Sequence, residues 1–167
     1  MPEPVATAHL TYTLVTTPAA LTRATPRHPR RGRLSITIAR TPDTPGPATC
    51  RSITLEVPTG IHAEAITTQP ERIDTAYSAP RGRTWHILKN TARPDCTVFT
   101  CSPENPRREA VFDDTWALTL ILDNIPLTAL PGTTTVRITD DTAAASAPYT
   151  RHSAALPVTV LAATDDA

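Results

Sequence analysis

The segment Cys50-Arg51-Ser52-Ile53-Thr54-Leu55-Glu56-Val57-Pro58-Thr59-Gly60 decides the fold class. Ile53, Leu55 and Val57 alternate with Thr54 and Glu56, the period of a pleated strand with one apolar face. The β-branched Ile, Thr and Val are stiff at χ1 and suit that surface. Pro58, Thr59 and Gly60 then end the strand.

The same period recurs on both sides of this segment. Leu10, Tyr12 and Leu14 alternate with Thr11 and Thr13, and Leu34, Ile36 and Ile38 alternate with Ser35, Thr37 and Ala39. Trp85 and Ile87 alternate with Thr84 and His86, which points His86 to solvent. Val98 sits between Thr97 and Phe99 in a short apolar strand. Trp116, Leu118, Leu120 and Leu122 share one face; Val136 with Ile138, and Leu156 with Val158 and Val160, complete the series. Weaker candidates cover 63–67, 74–79 and 109–112. Pro- and Gly-rich punctuation at 41–47, 80–82, 102–106 and 131–132 separates about eight to ten strands. Residues 143–147 are rich in Ala and Ser and read as a helical turn or a loose loop.

No apolar window of helical length stays unbroken, because 18 Pro interrupt the 167-residue chain. Without crossover helices the sheets are expected to be antiparallel. The expectation is therefore an all-β protein, a two-sheet antiparallel β-sandwich over residues 1–162, with 163–167 a disordered tail. An immunoglobulin-like topology is expected, with a jelly roll as the alternative. One chain of this size buries enough surface to fold without metal or disulfide staples.

The 16 basic and 16 acidic residues cancel. That balance argues against a specific nucleic-acid binder, and it limits solubility near neutral pH unless a partner covers some surface. The basic residues are Arg apart from Lys89, a bias that fits a high-GC bacterial genome. The first residues lack a basic then apolar leader, and no apolar run is long enough to insert in a membrane, so the expectation is a cytoplasmic protein or one exported without a cleaved signal. Cys50, Cys96 and Cys101 are odd in number and cannot all pair; free, mostly buried thiols are expected.

The strand and turn at Cys50 to Gly60 resemble the strand followed by Pro-x-Gly in immunoglobulin-like sandwich modules of bacterial multi-domain proteins. Trp116 to Pro126, followed by Leu130 to Asp140, resembles the late-strand pair of the same modules. These stretches cover about a fifth of the chain. The spacing of Cys50, Trp85 and Cys96 departs from the inter-sheet disulfide pattern of antibody domains. The resemblance implies a fold and supplies no catalytic residues.

Each candidate chemistry has a plainer reading beside it. Cys50, His86, Cys96 and Cys101 are ligand types that zinc accepts, but the short zinc spacings are missing, and Cys96 and Cys101 fall on opposite faces of one strand. His9, His28, His62, His86 and His152 lack a nucleophile motif. Asp113-Asp114 and Asp140-Asp141 lack a calcium loop pattern and read as solvated turns. No cofactor and no metal is called for. The densest feature is Arg23, Arg27, Arg30, Arg31 and Arg33, with His28 among them and no acidic residue between. Guanidinium forks grip carboxylate or phosphate, so these five are the candidate partner-binding residues. The alternative is a solvated loop, or one that folds against an acidic surface of its own chain.

The reading that results is a non-enzymatic binding or structural module, meeting a protein or other anionic partner through loops or sheet edges. The alternatives are a subunit of an oligomer joined by β-edges, and a carbohydrate-binding module or small hydrolase.

Overall fold

A computed structural model describes residues 3–42, 46–79, 84–105, 110–113, 116–144 and 147–163. The predicted tail, apart from Ala163, lies outside the described residues. Twelve strands follow in order: β1 (Val5–Ala6), β2 (Leu10–Thr17), β3 (Leu21–Thr22), β4 (Arg31–Arg40), β5 (Ala48–Pro58), β6 (Asp74–Ser78), β7 (Trp85–Asn90), β8 (Cys96–Pro103), β9 (Ala110–Phe112), β10 (Ala117–Pro126), β11 (Gly132–Ala144) and β12 (Thr150–Leu161). Among the described residues the only helical turn is a short 3-10 piece, Pro70–Arg72. Among the described residues no helix is long and apolar enough to cross a membrane.

The strands form two sheets packed as a sandwich. One has the order β1-β2-β4-β10-β6; the other has the order β3-β12-β11-β5-β8-β7. β9 pairs with Ala48–Cys50 of β5, and β8 pairs with Ile53–Pro58, so β8 and β9 lie end to end along one strand. The alternating apolar positions face inward. Leu34, Ile36 and Ile38 of β4 meet Ile53, Leu55 and Val57 of β5 in one core, all fully buried. Each such side chain contributes about 1.5–3 kcal/mol of burial.

The two-sheet antiparallel sandwich is as expected apart from one short parallel pair, and three finer expectations need correction. The pairing is not wholly antiparallel: β3 runs parallel to the end of β12, Leu21 opposite Val160. The chain leaves β2 through a cis Thr17–Pro18 peptide and crosses to the other sheet, so no in-sheet crossover is needed for the parallel pair. Residues 63–67 form turns, joined to Thr59 by a single bridge at Thr67. Ala143 and Ala144 are strand, paired with Thr49 and Ala48, because β11 continues beyond the position read as a turn.

Asp140-Asp141 is likewise no solvated turn. It lies inside β11, and the Asp140 side chain is fully buried between the sheets. Tyr12 of β2 donates its hydroxyl to Asp140 Oδ2 at 2.5 Å, Thr7 donates to the same oxygen at 2.7 Å, and Thr142 donates to Oδ1 at 3.1 Å. A buried carboxylate tolerates the interior only when such donors replace its water. The arrangement ties β2 of one sheet to β11 of the other. Burial, and after it the charge of Asp140, pushes the Tyr12 phenol far above its usual range and keeps it a donor.

All three thiols are free and buried. Cys50 and Cys101 face the core, where burial pushes both thiols up, Cys101 to about 12. Cys96 faces the other way, opposite Pro58.

Backbone direction along the ladders explains where Pro is tolerated. The Leu161 carbonyl accepts Arg23 N–H on the β3 side, so odd-numbered residues of β12 turn their amides away from β11. Pro157 is one of them, and its missing N–H falls on the free edge, leaving the β11 ladder whole. The edge strand β7 carries Lys89 on the same face as Trp85. Its ammonium donates to the carbonyls of Ile73 at 2.8 Å and Glu71 at 3.2 Å.

Candidate functional site

Four connections meet at one end of the sandwich: 23–30, 59–69, 91–95 and 127–131. Backbone bonds lace them together. Ala24 N–H donates to Leu127 O at 2.7 Å, Leu127 N–H to Arg30 O at 3.0 Å, and Thr59 N–H to Asp95 O at 3.2 Å. Thr68 and Thr128 share a hydroxyl bond of 2.7 Å.

The 59–67 connection is held most firmly. Thr59 and Thr97 are both buried and satisfy each other at 2.8 Å, and the Thr67 hydroxyl accepts Gln69 N–H. Gly60 has φ +110°, and a Cβ there would collide with the Pro94 carbonyl oxygen; only Gly fits. His62 Nε2 lies 2.9 Å from Thr59 O and 2.8 Å from Asp95 O. Both neighbours are acceptors, so Nε2 carries the proton. Ala65 N–H closes a turn onto His62 O.

Between these anchors stands Ile61, 98% exposed. It borders a shallow hollow of about 200 Å³ with Ala63, Ala129 and Leu130, and Leu130 is itself 53% exposed. Arg23 is the charged residue on its rim; no acidic side chain lines it.

On the other side of His62 lies a polar cleft of about 450 Å³. Its origin is Pro58. The β11–β5 ladder ends at Arg137 opposite Glu56, because Pro58 has no N–H to continue it. Pro58 O and Gly60 N–H are taken by Ile66 and Thr67 instead, and β11 diverges from β5. Arg93 spans one wall, 3.2 Å from Asp95 and 3.7 Å from Glu56. The Arg93 guanidinium holds the Asp95 carboxyl below its usual range.

The five candidate arginines do not gather. Arg23 reaches the hollow, and Arg27 is exposed on a turn closed by Thr25 and His28. Arg30 is half-buried, with Nε buried and unbonded. Arg31 and Arg33 flank Gly32 on the outer face of β4, where Arg33 pairs with Asp123 at 2.9 Å. That pair keeps the Asp123 carboxyl low. Arg33 thus folds against an acidic group of its own chain.

His86 is exposed, as its alternation implied, and no group of three His, Cys, Asp or Glu among the described residues is placed to hold a metal. Sequence reasoning missed Ile61 and Thr134, and weighed His62 only as a catalytic candidate. The only local signal for the loop is Gly60, after which an isolated Ile follows a turn. The chain matches no protein-family model, and no curated protein is similar enough to count as a relative.

Proposed function

We propose that the protein is a non-enzymatic binding module on an immunoglobulin-like sandwich, docking a protein partner through its loop end with Ile61 as the anchor. The observation that carries this is an isoleucine with almost no contact on a loop that is otherwise fixed. Leaving it in water forgoes about 1.5–3 kcal/mol of burial and gives the fold nothing. Preorganised apolar anchors are what a partner uses best, because little order is lost on binding. Arg23 on the rim of the hollow selects an apolar notch with an acidic edge.

The strand order supports the immunoglobulin-like reading over a jelly roll. The neighbours β2-β4-β10-β6 and β12-β11-β5 match A-B-E-D and G-F-C. β6 departs from that pattern, since it precedes β7 and β8 in the chain. The edges speak against the β-edge oligomer. Pro157 and the inward-facing Lys89 are devices that blunt an edge. Replacing Lys89→Val should make the chain associate as concentration rises, read by light scattering. The aromatic residues speak against a sugar platform: Tyr12, Trp85, Phe99 and Phe112 are buried, and Tyr77, Trp116 and Tyr149 are half-buried.

The test uses wild type, Ile61→Asp and Val15→Asp as parallel baits in extract from the source cells, followed by affinity measurement with the purified partner. Val15 is 45% exposed, on the face of β2 opposite the buried Leu14, and does not line the Ile61 hollow. A partner kept by Val15→Asp, lost by about tenfold or more with Ile61→Asp, and weakened by salt supports the reading. A partner indifferent to Ile61 sinks it. So does a self-association that Ile61→Asp abolishes, since the occupant would then be a second copy.

A further inference from the structure

The polar cleft beside His62 is a separate feature from the Ile61 knob, and three observations about it converge. The first concerns backbone. Odd-numbered residues of β11 face β5, as Arg137 does opposite Glu56. Once β5 leaves, Thr133 and Thr135 direct their N–H and C=O groups into the gap, and no strand pairs with them on that side among the described residues. An unpaired strand edge inside a cleft is a template for another extended chain.

The second concerns charge. The ladder closes the cleft at Arg137 and Glu56, so this is its blind end. Glu56 shares Arg93 with Asp95, at 3.7 Å and 3.2 Å, whereas no ion pair of Arg137 exists among the described residues. Arg137 is therefore the guanidinium at the blind end that no carboxylate of the cleft engages. Glu64 lines the cleft from the 59–69 connection.

The third is an orphan. Thr134 lines the same cleft and is 6% exposed, yet its hydroxyl is buried without a hydrogen-bond partner. Buried hydroxyls in native proteins are nearly always bonded, and this one has no partner among the described residues.

We propose that the cleft binds the C-terminal end of an extended peptide. Thr133 and Thr135 supply main-chain hydrogen bonds, and Arg137 takes the terminal carboxylate. The peptide runs parallel to β11, because its last residue must reach the blind end where β11 continues. Cys96 lines the cleft and becomes covered when it is filled.

The experiment titrates ¹⁵N-labelled protein with a pool of N-acetylated tetrapeptides of randomised sequence, once as free acids and once as C-terminal amides. The acids should shift the Thr133 and Thr135 amides saturably and slow alkylation of Cys96. They should bind about tenfold tighter than the amides, the worth of a charge-assisted contact. Arg137→Gln should erase that difference. Thr134→Val should weaken binding while raising the unfolding midpoint, which a merely structural threonine would not do. Equal response to acid and amide, no response to either, or shifts that spare Thr133 and Thr135 each overturn the proposal. Ile61→Asp should leave acid binding intact, so failure here is distinct from failure of the docking reading.

Discussion

Near the end of the sandwich where β1 turns into β2, Asp140 is fully buried and three hydroxyls answer its two oxygens. Six residues away along β11, about 20 Å at strand rise, the Thr134 hydroxyl is buried with nothing to bond, and beyond it Ile61 stands in water. The same strand thus carries a polar group the fold has completed and one it has left open. The difference separates what holds the protein together from what is free to meet a ligand. A satisfied buried network fixes how the two sheets sit, since Tyr12 and Asp140 come from opposite layers. An unsatisfied hydroxyl and an exposed anchor lower stability and persist where another use compensates.

The strongest way to break the comparison is to unmake the completed end. Asp140→Ala should cost about 3–5 kcal/mol in urea unfolding, because it strands the Tyr12 and Thr142 hydroxyls and opens a cavity. Tyr12→Phe should cost less, about 1–2 kcal/mol, since Thr7 and Thr142 still reach the carboxylate. A loss below about 1 kcal/mol for Asp140→Ala would mean that water already serves that site, and the contrast between the ends would vanish.

A smaller effect distinguishes the core thiols from the cleft thiol. Burial raises Cys101 from near 9 to about 12. The folded state therefore favours the protonated thiol. Its contribution is whole below pH 9 and is lost as the pH climbs from there toward 12, because the unfolded chain releases its proton first. At pH 10 the loss from Cys101 is about 1.4 kcal/mol, and Cys50 acts in the same direction. Cys101→Val should flatten the fall in stability between pH 8 and pH 10 by that amount. Cys96 should be the first thiol alkylated in the native protein, since it lines the cleft and the other two lie in the core. Faster labelling of Cys101 would show that the core opens more readily than the loop end.

These contrasts also mark what could be read from sequence. β4 and β5 were legible because Leu34, Ile36 and Ile38, like Ile53, Leu55 and Val57, repeat at period 2 with nothing buried that is polar. Asp140 was misread for the opposite reason: two adjacent carboxylates look like a turn, and the donor that makes burial possible, Tyr12, is 128 residues away. The arginine run was visible as composition, but strand alternation around Gly32 disperses it. Arg33 turns to Asp123, whereas Arg23 precedes the strand and reaches the hollow. Pro58 was correctly placed as a strand end. That it ends pairing on one side only, and so splits β11 from β5, depends on which way its nitrogen faces, a fact of register absent from a single sequence.

The smallest expected effect is the sharpest probe of the open end. Ile61→Asp should change the unfolding free energy by no more than about 0.5 kcal/mol, the range of substitutions that touch nothing. The loop is held by Gly60, His62 and the Thr59–Thr97 bond, none of which involves the Ile61 side chain. Any loss of partner binding in that variant then comes from the surface and not from a damaged fold. A loss of about 2 kcal/mol would be the cost of removing a buried isoleucine. Ile61 would then pack down onto Leu130 in solution and close the hollow, and the protein would present no apolar anchor for a partner to use.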